Sequence, residues 1–185
     1  MSFFDKEGNV SEESDKRITN YIIVDRRTDK IEKGNYETTL LPLVGTSLIK
    51  FITGTKIDKN WINNLNRPLP NPTRLGFFPV VWTYLYLTMG YASFLVYQSG
   101  GEKLNGVALL IYIVHLFVNW SWSPIYFGQK KITLAFYIII ILWIGVLSTM
   151  IAFFTMNTTA GLLIVPYFAW TSFASFLNYR IMIFK

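Results

Sequence analysis

The sequence predicts an all-α membrane protein, a bundle of five transmembrane helices. Hydrophobic residues make up 52% of the 185 residues and charged residues only 15%, which is unusual for a soluble domain. The charges also leave three long stretches free, 75–101, 104–129 and 132–179. Because about 20 apolar residues cross the hydrocarbon core of a bilayer, stretches of this length indicate helices that span a membrane.

The five predicted spans are, in chain order, 38–55, 76–98, 105–125, 132–155 and 158–183. The first contains one charge, Lys50, near its end, where the long stem can extend to the interface. The second and third each occupy one uncharged stretch, and Pro124 is expected to close the third. The last stretch is too long for one helix, so we divide it at Asn157. Pro166 lies inside the fifth span and is predicted to kink it.

The segment before the helices, 1–36, is predicted to be a disordered polar tail, followed by one transmembrane domain at 37–185. Nine of the eleven acidic residues lie between Asp5 and Glu37. The tail does not begin as a secretory signal, because no basic region is followed by an apolar run. The loops on the C-terminal side of the bundle carry most of the basic residues, so the C-terminus is predicted to be cytosolic.

Few kinds of chemistry are available inside the bundle. The chain has no cysteine and one histidine, His115, which excludes disulfides, a thiolate metal site, a cysteine nucleophile and a His-rich metal site. No carboxylate falls within a predicted span, so conventional acid–base catalysis is not expected there. We therefore predict no metal site and no catalytic residue of these ordinary types.

Aromatic and small side chains alternate along two helical faces. In the second span Trp82, Tyr86 and Gly90 follow one another at four-residue steps, which places them on one face. The corresponding stripe of the fifth span comprises Trp170, Phe173, Ala174, Leu177 and Asn178. One interpretation is helix packing, in which small residues permit close approach; the other is a flat pocket walled by aromatic rings, Trp120 and Trp122 included.

His115 is predicted to lie near the bilayer midplane, because it follows Gly106 by nine residues, or about 14 Å of helix. Asn119 is one turn further along the same face, and Trp122 is close by. The functional interpretation makes His115 a ligand contact, including an axial ligand to a haem iron. The alternative is a packing residue held by a hydrogen bond.

The connection between the first two spans is the only long one, and it contains Trp61, Arg67 and Arg74 together with three prolines. A stiff, aromatic and basic loop at the mouth of a bundle is typical of a lid that contacts the acid groups of an amphipathic ligand. The same residues are equally typical of an anchor at the membrane interface. We predict that Arg67 or Arg74 lies near a carboxylate of the ligand.

Four runs of sequence together resemble the translocator protein family, also called tryptophan-rich sensory proteins or peripheral-type benzodiazepine receptors. They are WINNLNRP from Trp61, PVVWTYLY from Pro79, NWSWSPIYFG from Asn119, and PYFAW from Pro166 with a later LNY. The resemblance extends from about residue 36 to the end of the chain, in the same order and spacing. It departs from the family after Pro68, where many relatives have one or two tryptophans, so the lid is less aromatic here.

The resemblance implies a five-helix bundle, usually dimeric, that binds porphyrins, haem and sterols beneath the first loop. Trp82 and Trp170 match tryptophans that some bacterial relatives need for light-dependent breakdown of protoporphyrin, and Asn119 and Trp122 match positions that line the pocket. With the residues selected by pattern, the predicted ligand-binding set is Trp82, Tyr86, His115, Asn119, Trp122, Trp170, Ala174 and Leu177. The position of the family's proposed sterol motif is occupied by Leu177, Tyr179 and Arg180.

We therefore expect an integral membrane receptor for porphyrins and sterols that acts in tetrapyrrole or lipid handling or transport. The expected partners are those ligands, membrane lipid and a second copy of the chain, and not nucleic acid; no cofactor is required, porphyrin or haem being the ligand. The expected location is the mitochondrial outer membrane or another eukaryotic organelle membrane. Porphyrin degradation by Trp82 and Trp170, or a dimeric scaffold, are the alternative functions.

Overall fold

The computed structural model describes residues 39–56, 58–63, 65, 77–99 and 102–184, and within them the regular structure is entirely helical. The helices are α1 (Thr39–Ile52), α2 (Lys59–Asn63), α3 (Phe77–Gln98), α4 (Glu102–Ser123), α5 (Ile132–Met156) and α6 (Thr158–Ile183). The prediction of an all-α membrane bundle is confirmed. The tail predicted at 1–36 lies outside the described residues.

Four helices of the described chain are long and apolar enough to cross a membrane. They are Pro79–Gln98, Leu104–Gly128, Ile132–Met156 and Thr158–Ile183. α1 is the fifth apolar helix and is shorter, about 21 Å at the usual rise of ~1.5 Å per residue. Gly54 follows it with a φ of 59°, a left-handed conformation that glycine adopts without strain, and ends the helical path before the loop.

The third span does not end at Pro124, and the prediction that this proline closes it is wrong. The helix continues through a π-helical turn, Pro124–Gly128, in which the Gln129 N–H donates to the Pro124 carbonyl at 2.9 Å. Proline has no N–H to donate to the preceding turn, and the wider turn accommodates that missing bond. The extra turn carries Tyr126, which is buried and lies one residue beyond the predicted span of 105–125.

α5 and α6 form a helical hairpin around Asn157. α5 ends at Met156, and the Asn157 side chain accepts a hydrogen bond from the Ala160 N–H at 3.0 Å, which caps α6. α6 then runs through Pro166, which lies on its exposed side. An exposed proline leaves the buried face of α6 intact, so that face packs along both α5 and α3.

Two glycines set how closely α1 approaches the other helices. A side chain on Gly90 of α3 would meet the backbone of Thr39, and one on Gly45 of α1 would meet the ring of Trp120. The Trp120 indole also donates to the Pro42 carbonyl at 3.3 Å. The Trp120 ring, which sequence pattern grouped with the pocket wall, therefore joins α4 to α1.

Candidate functional site

A chain of hydrogen bonds joins three helices inside the bundle. The Tyr86 hydroxyl on α3 donates to Oδ1 of Asn119 on α4 at 2.8 Å, and the Asn119 amide donates to the Tyr167 hydroxyl on α6 at 2.5 Å. All three side chains are buried. An unpaired amide or hydroxyl is costly in an apolar interior, so this chain fixes the three helices relative to one another. Two predicted site residues, Tyr86 and Asn119, are thereby brought together.

His115 is held by one ring nitrogen and leaves the other available. Its Nδ1 lies 2.8 Å from the Thr149 hydroxyl, and that hydroxyl donates its single hydrogen to the Gly145 carbonyl at 2.9 Å. With that hydrogen donated to Gly145, Thr149 accepts from His115, an arrangement that corresponds to the tautomer with the proton on Nδ1. Nε2 then carries a lone pair, and it is buried with no hydrogen-bond partner among the described residues. The hydrogen bond at Nδ1 fits the interpretation of His115 as a packing residue. The acceptor at Nε2 fits its interpretation as a ligand contact.

Two aromatic rings pack against this histidine. The ring of Tyr112 meets it edge-on at 5.4 Å between centroids, and the ring of Tyr167 lies at 5.8 Å. On the α5 side, a Cβ at Gly145 would lie 2.7 Å from the Cβ of His115. Gly145 therefore permits α5 to approach α4 closely enough for the bond to Thr149.

Of the two predicted pocket tryptophans, Trp82 on α3 lies beside Tyr167, and Trp170 lies on the same helix as Tyr167. Trp82 is half-buried, with its ring 5.5 Å from that of Tyr86 and 6.2 Å from that of Tyr167. Trp170 follows Tyr167 by three residues on α6 and is also half-buried. Both tryptophans pack against the main apolar core. The α3 and α6 stripes therefore face the same interior region, and Ala174, one turn after Trp170, is buried with them.

Trp122 lies between this interior and the end of the bundle that carries the first loop. Its ring stacks on Tyr126 of the π-helical turn, 4.8 Å apart and 17° from parallel, and the Trp61 ring of α2 meets Tyr126 edge-on at 5.8 Å. We call the surrounding apolar group the lid cluster. It consists of Trp61, Leu65, Trp122, Ile125, Tyr126, Phe127, Ile132, Ala135, Ile181 and Met182.

An ion pair fastens α2 over the lid cluster. Lys130, in the loop after the π-helical turn, lies 2.8 Å from Asp58, and its ammonium is 5.7 Å from the Trp61 ring. Asp58 also accepts from the Trp61 N–H at 3.0 Å and so caps α2. The hydrogen bond from Lys130, and then that from Trp61, hold the pKa of the Asp58 carboxyl below its ordinary value of 3.8. The predicted lid residues Arg67 and Arg74 lie outside the described residues.

The predicted sterol motif does not form one surface with the interior residues. Tyr179 is 45% exposed and its ring lies 5.6 Å from that of Phe136 on α5. The Arg180 guanidinium lies 4.8 Å from the Phe184 ring, whereas Leu177 is half-buried. Successive residues of a helix point in directions 100° apart, so three residues within four positions do not share a face. Tyr179 faces outward while Trp170 and Ala174 face inward.

Several residues of this region were not selected from the sequence. Tyr167 and Tyr112 are fully buried rings beside His115, and Thr149 is its partner. Asn178 was placed on the α6 stripe but not in the predicted binding set, and it is buried. A tyrosine or asparagine in the middle of an apolar span can be recognised in the sequence as a candidate interior residue, because its polar group needs a partner in lipid. Among the described residues no group of three or more His, Cys, Asp and Glu is arranged to hold a metal ion.

The amino-acid sequence is similar to those of several known membrane proteins. The tryptophan-rich sensory protein of Cereibacter sphaeroides is 41% identical over 122 residues, 66% of this chain and 75% of that protein. The translocator protein of Ovis aries is 34% identical over 145 residues, covering 77% of this chain and 84% of the sheep protein. The translocator protein of Homo sapiens is 33% identical over 144 residues, covering 76% and 83%.

The family profile agrees with these pairwise similarities. The model of the TspO/MBR family matches residues 38–184, a range that includes every helix of the described residues. The matched region includes the Tyr86–Asn119–Tyr167 hydrogen bonds, the tryptophans beside them and the lid cluster. The chain is therefore an integral membrane protein that belongs to the TspO/MBR family.

Proposed function

We propose that this protein binds porphyrins, haem included, in the interior between α3, α4 and α6, and acts in tetrapyrrole or lipid handling or transport. The observation that carries the proposal is the Trp82 ring beside Tyr86 and Tyr167, whose hydroxyls are joined through Asn119, with Trp170 three residues after Tyr167 on α6. Aromatic rings offer large apolar faces to a planar ligand, and stacking adds about 0.5–1.5 kcal/mol per ring pair.

Polar groups in the same interior support selective binding. The Nε2 lone pair of His115 can accept a hydrogen bond from a ligand or coordinate the iron of a haem. Its Nδ1–H is fixed by Thr149, the arrangement that commonly orients a ligating imidazole. Ala174 follows Trp170 by four residues, so a small side chain lies one turn from the indole ring on the same face of α6.

We propose a separate sterol site on the outer surface, at Tyr179 and Phe136, with Arg180 towards the end of the helix. The exposed Tyr179 ring, which lies beside the half-buried Phe136 ring and precedes Arg180 near the helix end, is suited to an amphipathic lipid with one polar group. We further propose a homodimer in the mitochondrial outer membrane or another organelle membrane. The relatives include translocator proteins of two eukaryotes.

The test of the interior site is quenching of tryptophan fluorescence by protoporphyrin in the purified protein. A Trp82→Ala, Trp170→Ala double variant is expected to bind at least about tenfold more weakly, since a loss of ~1.4 kcal/mol weakens binding tenfold. Trp143→Phe is the control, because Trp143 bonds to Ser172 and stacks on Phe168 away from Tyr167. Unchanged affinity in the double variant rules out the stacking site.

Illumination of the complex separates binding from turnover. A binding protein returns the same porphyrin absorption spectrum after exposure to light. New absorbing products that require both Trp82 and Trp170 would instead establish porphyrin breakdown as the activity of the same residues.

A further inference from the structure

Asn178 is a buried amide that nothing in the described chain satisfies. It lies near the end of α6 and is 2% exposed. Neither its Oδ1 nor its Nδ2 has a hydrogen-bond partner among the described residues. A buried amide without partners costs about 1–3 kcal/mol, and such groups are rare in native interiors unless something else meets them. The amide therefore points to a molecule that supplies both a donor and an acceptor.

A second unpaired donor lies at the same end of the bundle. The Trp122 indole N–H is buried and without a partner within the part of the chain that the structure describes. The Trp122 ring packs against the lid cluster, and so do Ile181 and Met182 of α6. Because Ile181 and Met182 follow Asn178 by three and four positions, Asn178 lies one turn beneath them on the same face. Asn178 and Trp122 thus border the lid cluster from the interior side.

The position of Asn178 relates it to the proposed porphyrin site. It follows Trp170 and Ala174 at four-residue steps, so the three residues share one face of α6. The rise from Trp170 to Asn178 is about 12 Å, at ~1.5 Å per residue. A ligand whose rings stack on Trp170 therefore extends its substituents along this face towards Asn178.

Two basic side chains at this end of the described chain are engaged elsewhere. Lys130 is paired with Asp58, and the Arg180 guanidinium lies on the Phe184 ring. An ionised carboxylate buried beside an amide alone would remain uncompensated and also face the Asn178 Oδ1. The group that fits is neutral and planar, with an acceptor beside a donor.

We infer that Asn178, with Trp122, is the polar recognition site of the interior pocket and takes a neutral carboxylic acid or carboxamide group of the ligand. The Asn178 Nδ2–H and the Trp122 N–H donate to the carbonyl oxygen of that group. The Asn178 Oδ1 accepts from its O–H or N–H. The inference rests on the proposed function and names the chemistry of ligand that this site selects.

The experiment compares two uncharged derivatives of protoporphyrin IX, the diamide and the dimethyl ester, by quenching in the purified full-length protein. Both present carbonyl acceptors, but only the diamide also donates, so the unmodified protein is expected to bind the diamide about tenfold more tightly. Asn178→Leu is expected to reduce that preference to within about twofold, because it removes two hydrogen bonds to the diamide and only one to the ester. Ser175→Ala is the matched control, since the buried Ser175 hydroxyl is already bonded to the Thr171 carbonyl one turn earlier on α6.

A second variant tests the same inference independently, so the test does not depend on the folding of Asn178→Leu. Trp122→Phe keeps a ring for stacking on Tyr126 and removes only the N–H, so it is expected to weaken binding of both derivatives by a similar factor. Equal preference for the diamide in the unmodified protein and in Asn178→Leu would overturn the inference while leaving the stacking site intact. Failure of the unmodified protein to bind either derivative would overturn the proposed function and this inference with it.

Discussion

Asn119 and Asn178 are two buried amides in one bundle with opposite hydrogen-bonding states. Asn119 is 4% exposed and bonds to two tyrosines on neighbouring helices. Asn178 is buried to the same degree and is unpaired within the described chain. The net contribution of a buried polar group to stability depends on whether it has hydrogen-bond partners. The same residue type therefore has opposite effects on stability at the two positions. Asn119 supports the fold, and Asn178 is retained at a cost to it.

We expect Asn119→Leu and Asn178→Leu to change stability in opposite directions. Asn119→Leu leaves the Tyr86 and Tyr167 hydroxyls without their partner, so it should lower the free energy of unfolding by about 2 kcal/mol or more. Asn178→Leu replaces an unsatisfied amide by an apolar group of similar size, so the ligand-free protein should be as stable or more stable. Thermal unfolding of both variants in one detergent measures the difference. A large destabilisation by Asn178→Leu would show that the amide has a structural partner.

Close helix approach is the property that matters at the scale of the elements. α1 is the shortest of the apolar helices and meets α3 where Gly90 faces the backbone of Thr39. In a bilayer, helices associate through tight packing and polar contacts rather than through the hydrophobic effect. The glycine is therefore needed for its size, whereas Gly106 on α4 has nothing within 4 Å of a Cβ built there.

We expect Gly90→Ala to be destabilising and Gly106→Ala to be tolerated. The new methyl group at position 90 meets backbone, which cannot rotate away, so α1 must move; overpacking of this kind costs about 1–3 kcal/mol. At position 106 alanine fits and favours the helix by up to ~1 kcal/mol. The free energies of unfolding of both variants, measured in the same detergent, test these two expectations. Equal stability of the two variants would contradict the close contact between α1 and α3.

The lid helix α2 is fastened by a contact that depends on pH. Because the pKa of Asp58 is lowered by Lys130, the ion pair contributes above pH 3.8 and is lost as the pH falls through the lowered value. Asp58→Asn should remove the ion pair but keep the cap of α2, whereas Asp58→Ala should remove both. Hydrogen exchange of the peptide that covers α2, near pH 7, is expected to be fastest in Asp58→Ala, intermediate in Asp58→Asn and slowest in the unmodified protein. Equal exchange rates in all three would show that the apolar contacts of Ile62 and Trp61 alone hold α2.

At the scale of the whole molecule, the lid cluster fixes which ends of the helices lie together. It combines α2, the π-helical turn, the start of α5 and the end of α6. The basic residues Lys130 and Arg180 lie at this end, while Ser99, in the turn after α3, lies at the other. By the positive-inside rule the lid end is expected to face the cytosol.

Single cysteines test this orientation without background labelling, because the chain contains none of its own. In cells permeabilised at the plasma membrane, a polymer-linked maleimide should label Lys131→Cys and not Ser99→Cys. Lys131 is exposed and follows the π-helical turn, so the substitution leaves the lid cluster unchanged. Labelling of Ser99→Cys alone would reverse the orientation.

Helix existence and approximate position could be predicted because they depend on local properties of the chain. Uncharged stretches located the long helices, and Asn157 marked the hairpin between α5 and α6, where it caps α6. The stripe of the second span also selected Tyr86 as an interior residue, and the His115 face of the third span selected Asn119 with Trp122 close by. Local hydrophobicity and helical periodicity suffice for such statements, since the bilayer requires each span to satisfy its own backbone.

Pairings between helices could be established only in the folded structure. Proline chemistry alone suggested that the third span ends at Pro124, and the π-helical turn that carries Tyr126 depends on packing against α2 and α5. Likewise, a mid-span histidine is readable in the sequence, but the hydrogen bond at its Nδ1 is made with Thr149, 34 positions away and on another helix. The satisfied Asn119 and the unsatisfied Asn178 look alike as letters, because a hydrogen bond is a property of two groups in space and not of one residue in a chain.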